Sequence, residues 1–517
     1  MAPNDILPVP RNFKAFRFKN VDLEAFLDKE NKFRTSFEDA GDYLDDVVEI
    51  EDDCFGVEEV VDDESLADLA VAYDAFVNAQ GQTNEDAPSP AAEPSIDGPS
   101  RRQKRNAART RRKRDIRRLE ATGRRKNGDV SKDAQRKALQ AKHVVLDFDV
   151  GALPVSNPGF IGRKEVSPDQ LPPISKLKRF NWDGKTTTLL VDRKDRIWTV
   201  LGAGIKDKSW GGVVDRATSA IAKFHQTAGL TTKDFANRRS NGRYSTVHKG
   251  PSFGGGQKRP ANMAIRRKTT RKAMDELQKN ADIQRILGHT GTLYKTYGYK
   301  LAVESSECIR SLTSQFPDIE PPKYPNPDGP YWAAFTVNSA NVGPSEPQVV
   351  TAVHTDFGNY AQSWCAVTAF GKFDPDLGGH LVFWNLGIAI RFPPGTTILF
   401  PSALITHSNL PTQPGETRYS IVQYTAGGLF RWISNGGMSD KEFLSTSTAE
   451  QLAQRDQMRK DRARSGLRKY TRLFELECGD YKGEALAEES ELSSLGESSD
   501  EEDSRPSKRV KIETLLT

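Results

Sequence analysis

From residue 330 to residue 426, apolar side chains come in short runs, many of them alternating with polar ones, divided by Gly, Pro and Asp. Alternation with period two over so few residues predicts half-buried strands rather than helices. The runs fall at 333–337, 349–354, 366–370, 380–384, 388–392, 397–400, 405–407 and 418–424. Eight short strands with turns such as Asp374-Pro375 and Pro393-Pro394-Gly395 predict a double-stranded β-helix, a jelly-roll-like barrel. Upstream, 187–191 and 197–201 read as a hairpin across Asp192-Arg193-Lys194-Asp195. Val213, Val214, Ala217, Ala220, Ile221 and Phe224 then recur at helical spacing within 211–226. Further helical stretches are predicted at 262–288 and 299–316, buttressing the outer sheet. The fold class expected is therefore α+β.

Composition divides the 517 residues into a core and flanks. Apolar content of 36% and charged content of 28% predict substantial disorder beside a real core. Residues 1–100 are acidic, and a short amphipathic helix could place Leu66, Leu69, Tyr73 and Phe76 on one face. The stretch 86–100 is rich in Pro, Ala and Ser and reads as a linker. Residues 101–142 reverse the sign, with 18 Lys/Arg against 4 Asp/Glu, a net +14 in a chain of net +4. Such a run suits phosphate contact without base reading, nuclear import, or a plain solvated tether. The folded domain is expected over 143–436, a helical extension over 437–476, and a disordered, acidic, Ser-rich tail over 477–517. The basic cluster of that tail, Lys508-Arg509-Val510-Lys511, is similar to a nuclear localisation signal. The sequence opens on no signal peptide and holds no apolar run of membrane-spanning length, so a soluble, intracellular and nuclear protein is expected. Cys54, Cys308, Cys365 and Cys478 are scattered without zinc spacing, as free thiols in a reducing compartment would be.

Candidate chemistry gathers in the strand-rich segment. A His-x-Asp pair, His354 and Asp356, puts two ligand side chains on one face of an extended segment. His407 follows 51 residues after Asp356. Two histidines and one carboxylate with open positions opposite make the facial triad of non-haem Fe(II) oxygenases. His380 competes for the third place, but it follows a turn, Asp376-Leu377-Gly378-Gly379, and is read as structural. Beyond His407, Arg418 and Ser420 share one face of an alternating strand. An arginine fork beside a hydroxyl suits a carboxylate held at two points, such as the distal one of 2-oxoglutarate. The loop 250–257 is glycine-rich; it is either backbone close to the site or a tight structural turn.

These motifs resemble a known family, the 2-oxoglutarate/Fe(II) dioxygenases, and within it the TET/JBP branch that oxidises the 5-methyl group of pyrimidines in DNA. His354-Thr355-Asp356-Phe357-Gly358-Asn359 is similar to the branch's His-x-Asp-x-x-Asn, and Thr417-Arg418-Tyr419-Ser420-Ile421-Val422-Gln423-Tyr424 to its Arg-x-Ser-x-Val-x-Tyr strand. Ser252-Phe253-Gly254-Gly255-Gly256-Gln257 is similar to a segment of fungal members. The resemblance implies Fe(II) on His354, Asp356 and His407, with 2-oxoglutarate and O2 as co-substrates. It implies a flipped DNA base against Asn359 and Tyr424. Two residues past that tyrosine the methylcytosine oxidases carry a histidine, where this chain has Ala426. Prolyl-type protein hydroxylation would use the same iron site, and a non-catalytic DNA-binding protein could keep a relic barrel.

Overall fold

The computed structural model describes residues 14–15 and 132–478, apart from 157–158, 164–175, 236–238, 240–243, 327 and 341–348. In chain order the strands are β1 (Lys14–Ala15), β2 (Lys142–Val145), β3 (Lys178–Phe180), β4 (Thr188–Val191), β5 (Ile197–Gly202), β6 (Ser245–Lys249), β7 (Pro251–Ser252), β8 (Ala261–Asn262), β9 (Ala334–Ser339), β10 (Cys365–Lys372), β11 (Leu381–Phe383), β12 (Ile388–Ile390), β13 (Thr397–Phe400), β14 (His407–Asn409) and β15 (Thr417–Tyr424). The larger sheet runs β2-β4-β5-β13-β10-β15-β9-β6, and the smaller β1-β3-β12-β11-β14. Pairing is antiparallel throughout both except for β2 with β4 and β12 with β3. β7 and β8 form a small ribbon of their own.

The two sheets share one apolar core. Phe383 of the smaller sheet meets Phe400 of the larger at 4.9 Å between ring centroids and Trp198 at 5.7 Å. This is a mixed architecture of large sheets and helices, with the two-sheet layout of a jelly roll. Alternation along β15 shows why one strand serves two layers. Tyr419 and Ile421 point outward, into a cluster with Trp210, Val213, Ala217 and Phe224 of the helix Trp210–Thr227. Arg418, Ser420, Val422 and Tyr424 point the other way and line a cavity.

Several expected elements differ in detail. The stretch 349–354 forms no ladder. Thr351 donates its backbone N–H and its hydroxyl to Asn409 Oδ1, and Asn409 Nδ2 donates to the Val349 carbonyl. Thus a side-chain strap and one isolated bridge replace a strand. The single helix expected over 262–288 is Lys268–Lys279 followed by Ala281–Tyr297. Asn280 breaks it because its side chain caps the second helix, accepting from the N–H groups of Asp282 and Ile283. The segment after 437 is helical at Asp440–Thr446, Ala449–Leu467 and Leu473–Cys478. It also docks, with Tyr470, Leu473 and Leu476 buried in the main core. The end of the basic stretch is folded as well, into the helix Lys132–Gln140 and the start of β2. The expected helix at 66–76, the rest of the basic run and the C-terminal tail lie outside the described residues. Among the described residues no helix is long and apolar enough to cross a membrane.

The hairpin between β4 and β5 turns on a buried ion cluster. Asp192, fully buried, accepts from the backbone N–H groups of Lys194 and Arg196 and from Arg196 Nε at 2.8 Å, and Arg196 also pairs with Asp149. Removing one member of such a set strands a buried charge. Asp192→Ala should therefore lower unfolding free energy by about 3–5 kcal/mol, read from a urea transition.

Candidate metal centre and its cavity

The two histidines are joined through their backbones. His354 N–H donates to the His407 carbonyl at 3.0 Å, and His407 N–H returns the bond at 2.8 Å. This pair ties the start of β14 to the His-x-Asp segment, so residues 53 positions apart in sequence stand ring beside ring, 4.3 Å between centroids. Asp356 completes the set. His354 Nε2 lies 3.5 Å from one of its carboxylate oxygens and His407 Nε2 lies 3.8 Å from the other. One ligand atom from each of the three lies within 4.8 Å of the others.

Each imidazole is oriented by its own chain. Nδ1 of His354 contacts the Ala352 carbonyl at 2.7 Å, and Nδ1 of His407 contacts the Ile405 carbonyl at 2.8 Å. A carbonyl only accepts, so both rings carry their proton on Nδ1 and present the Nε2 lone pair to Asp356. Burial pushes His407 down to about 3, helped by His354 beside it, and burial likewise lowers His354. Burial alone would raise Asp356. The Arg239 guanidinium, 2.8 Å away, outweighs it and holds the carboxyl well below the usual range. Two neutral nitrogens and one carboxylate, turned together, are the donor set a divalent first-row metal takes. Asn359 closes this turn, its N–H donating to the Asp356 carbonyl and its Nδ2 to Ser402 Oγ at 3.1 Å.

The cavity beside the three ligands has a volume of about 300 Å³. Arg418 lies in its wall, buried, with Nη1 donating to the Val349 carbonyl at 3.2 Å. Its Nε is buried and has no hydrogen-bond partner, and among the described residues no carboxylate pairs with it. Burial without a counter-ion lowers even this guanidinium to about 10. A buried cation with an unmet donor fits an anionic ligand from outside the chain. Ser420 adds a hydroxyl on the same face, accepting from Asn338 Nδ2 at 3.1 Å. Tyr424 lines the cavity further along the strand, its hydroxyl reaching Met263 Sδ at 3.6 Å and His248 Nδ1 at 3.1 Å.

All seven residues singled out in the sequence therefore meet at one cavity: His354, Asp356, His407, Arg418, Ser420, Asn359 and Tyr424. His380 does not line it, and burial with Arg179 nearby lowers that imidazole to about 3. The loop 250–257 packs elsewhere. A Cβ on Gly428 would sit 1.8 Å from the Phe253 carbonyl, and the Phe253 ring rests on Trp432, so that loop seats against the helix Gly427–Ser434. Arg239 and His248, which also line the cavity, were not singled out in the sequence. Arg239 stands in a polar run without periodicity. His248 was legible in principle, since Thr246 and His248 alternate along β6 toward the cavity.

No family model and no curated protein matches the chain. Solved structures do match. One is NgTET1 in complex with 5mC DNA, at 13% identity and a TM-score of 0.35, covering 57% of this chain and 87% of that one. A 2OG-Fe(II) oxygenase family oxidoreductase from Burkholderia pseudomallei is 15% identical with a TM-score of 0.22, over 40% and 76% of the two chains. The collagen prolyl hydroxylase of Paramecium Bursaria Chlorella virus-1, in its 2OG complex, is 13% identical with a TM-score of 0.19, over 40% and 88%. These likenesses are distant, and function is read from the side chains.

A direct check is metal affinity. His407→Ala and Asp356→Ala should each weaken Co(II) binding by roughly 100-fold or more, beyond the 10–100-fold typical of changes one shell further out. His380→Ala should leave it unchanged, measured by optical titration of the purified protein.

Proposed function

We propose that the chain is an Fe(II)- and 2-oxoglutarate-dependent dioxygenase that oxidises the 5-methyl group of a pyrimidine base in DNA. One observation supports this most: a His-Asp-His donor set shares its cavity with a buried arginine that, among the described residues, lacks a carboxylate partner. In this reading Nε2 of His354, Nε2 of His407 and the Asp356 carboxylate hold the metal. Bound Fe(II), with O2 and 2-oxoglutarate, would supply the oxidising power that turns a C–H bond into C–OH while 2-oxoglutarate leaves as succinate and CO2. The chain's own groups do the holding. Arg418 and Ser420 take the distal carboxylate of 2-oxoglutarate, where a two-point contact fixes its direction. Arg239 sets the ionisation of Asp356, keeping that carboxyl anionic before a cation arrives.

The cavity's size and edge support this substrate class. Its volume stands at the small end of the roughly 300–1,000 Å³ usual for ligand sites, which suits a single flipped base. Asn359 and Tyr424 line the part that would receive it, and Lys233 adds a cation to the lining. The basic run at 101–142 would add sequence-independent phosphate contacts and a route into the nucleus.

The test is mass spectrometry of nucleosides after duplex DNA is incubated with protein, Fe(II) and 2-oxoglutarate. The expected outcome is a 5-hydroxymethyl pyrimidine from methylcytosine- or thymine-containing duplex, lost with Asp356→Ala. Hydroxylation of a proline-rich peptide with DNA left untouched would replace this reading by protein hydroxylation.

A further inference from the structure

The cavity holds one imidazole that the metal centre does not use. His248, on β6, lines the cavity with Nδ1 2.6 Å from Thr336 Oγ1 and 3.1 Å from the Tyr424 hydroxyl. Among the described residues nothing hydrogen-bonds its Nε2, and that atom is not sealed in protein, so it faces the cavity. Which tautomer it presents depends on where the Tyr424 proton goes, since both Nδ1 contacts suit either one. The Tyr424 phenol owns a single proton, and the Met263 thioether, 3.6 Å away, can only accept it. When that proton goes to sulfur, the phenol oxygen meets His248 as an acceptor, and Thr336 Oγ1 can accept from the same N–H. The ring hydrogen then sits on Nδ1 and Nε2 is a lone pair; a Tyr424 proton given to Nδ1 instead would leave an N–H at Nε2. Burial pushes this imidazole down to about 4, with Arg239 adding to the effect against Asp356, so it is neutral near pH 7.

The other side of the cavity does not discriminate in this way. Asn359 is bridged to Ala426, which offers no polar side-chain atom, and the Asn359 amide can present either a donor or an acceptor by turning over. Methylcytosine and thymine carry the same methyl group but opposite groups at position 4, a donor amine against an acceptor oxygen. Only a fixed group can tell them apart.

We propose that His248 is the specificity-determining residue of this cavity, its Nε2 accepting from the 4-amino group of a flipped 5-methylcytosine while Tyr424 and Met263 hold its tautomer. This rests on the base-oxidation reading above. Thymine would set its carbonyl oxygen against a lone pair, and a polar group buried without a partner is disfavoured roughly 10- to 100-fold.

The experiment uses two duplexes differing only in methylcytosine or thymine at one position. Extrusion is followed with metal-free protein by fluorescence of an adjacent 2-aminopurine, and oxidation with the Fe(II)-loaded protein by yield of 5-hydroxymethyl product. The wild type should favour methylcytosine about 10- to 100-fold in both readouts. His248→Phe keeps a flat ring without the acceptor and should bring the two duplexes within about 3-fold. Met263→Leu removes the thioether, lets Tyr424 donate to Nδ1 and so moves the ring proton to Nε2; preference should swing toward thymine. That swing is not expected of a merely structural role, and it keeps the test open should His248→Phe fail to fold. A wild-type preference that survives both substitutions, or no preference at all, overturns the assignment of His248 alone. Extrusion and oxidation of neither duplex overturns the base-oxidation reading and the inference together.

Discussion

Two backbone hydrogen bonds between His354 and His407 hold the site together. They are the sole ladder contact of the His-x-Asp segment with β14, and everything chemical depends on that register. A slip of one residue would turn His407 away from His354 and Asp356. The register is fixed from both sides. Asn409 straps the segment that enters, and Phe383 of β11, paired opposite His407, anchors β14 to the shared core. The Ala352 and Ile405 carbonyls then aim the rings, so the donor set is prepared before any metal arrives.

The second constraint is charge in a dry place. Asp356 and Arg418 both line the cavity, yet they are treated differently. Asp356 has a partner in Arg239, which offsets its burial. Among the described residues Arg418 has a single backbone carbonyl and an unmet Nε, so a ligand that brings a negative charge would compensate its burial. A protein does not leave a guanidinium in that state for stability. The same strand shows how this is sustained: its outward residues, Tyr419 and Ile421, are locked under the helix Trp210–Thr227, and that rigid backing keeps Arg418 and Ser420 pointing inward.

Much of this was legible in the sequence, because the cues were periodic or local. The β4–β5 hairpin, the β13 strand and the helix Trp210–Thr227 follow from alternation and helical spacing. The seven candidate residues meet at one cavity because His-x-Asp and Arg-x-Ser each encode a shared face in period two. What escaped depends on contacts between distant residues. The stretch 349–354 alternates like a strand, yet Asn409 takes up its hydrogen bonds. Asn280 splits an apparently continuous helix because capping beats helix propensity there. Arg239 reaches Asp356 from 117 residues away, and no spacing rule connects a polar stretch of sequence to a ligand across such a gap.

The central claim is that the three-ligand centre and Arg418 together bind 2-oxoglutarate on Fe(II). The most direct measurement is an anaerobic titration of the Fe(II)-loaded protein with 2-oxoglutarate, following the metal-to-ligand charge-transfer absorption of the chelate. A saturable band should form in the wild type and be absent in His407→Ala. Arg418→Lys, which keeps the charge but gives up the two-point fork, should need about 10- to 150-fold more 2-oxoglutarate to reach half-saturation. No band in the wild type, or an unchanged half-saturation point with Arg418→Lys, would contradict the account.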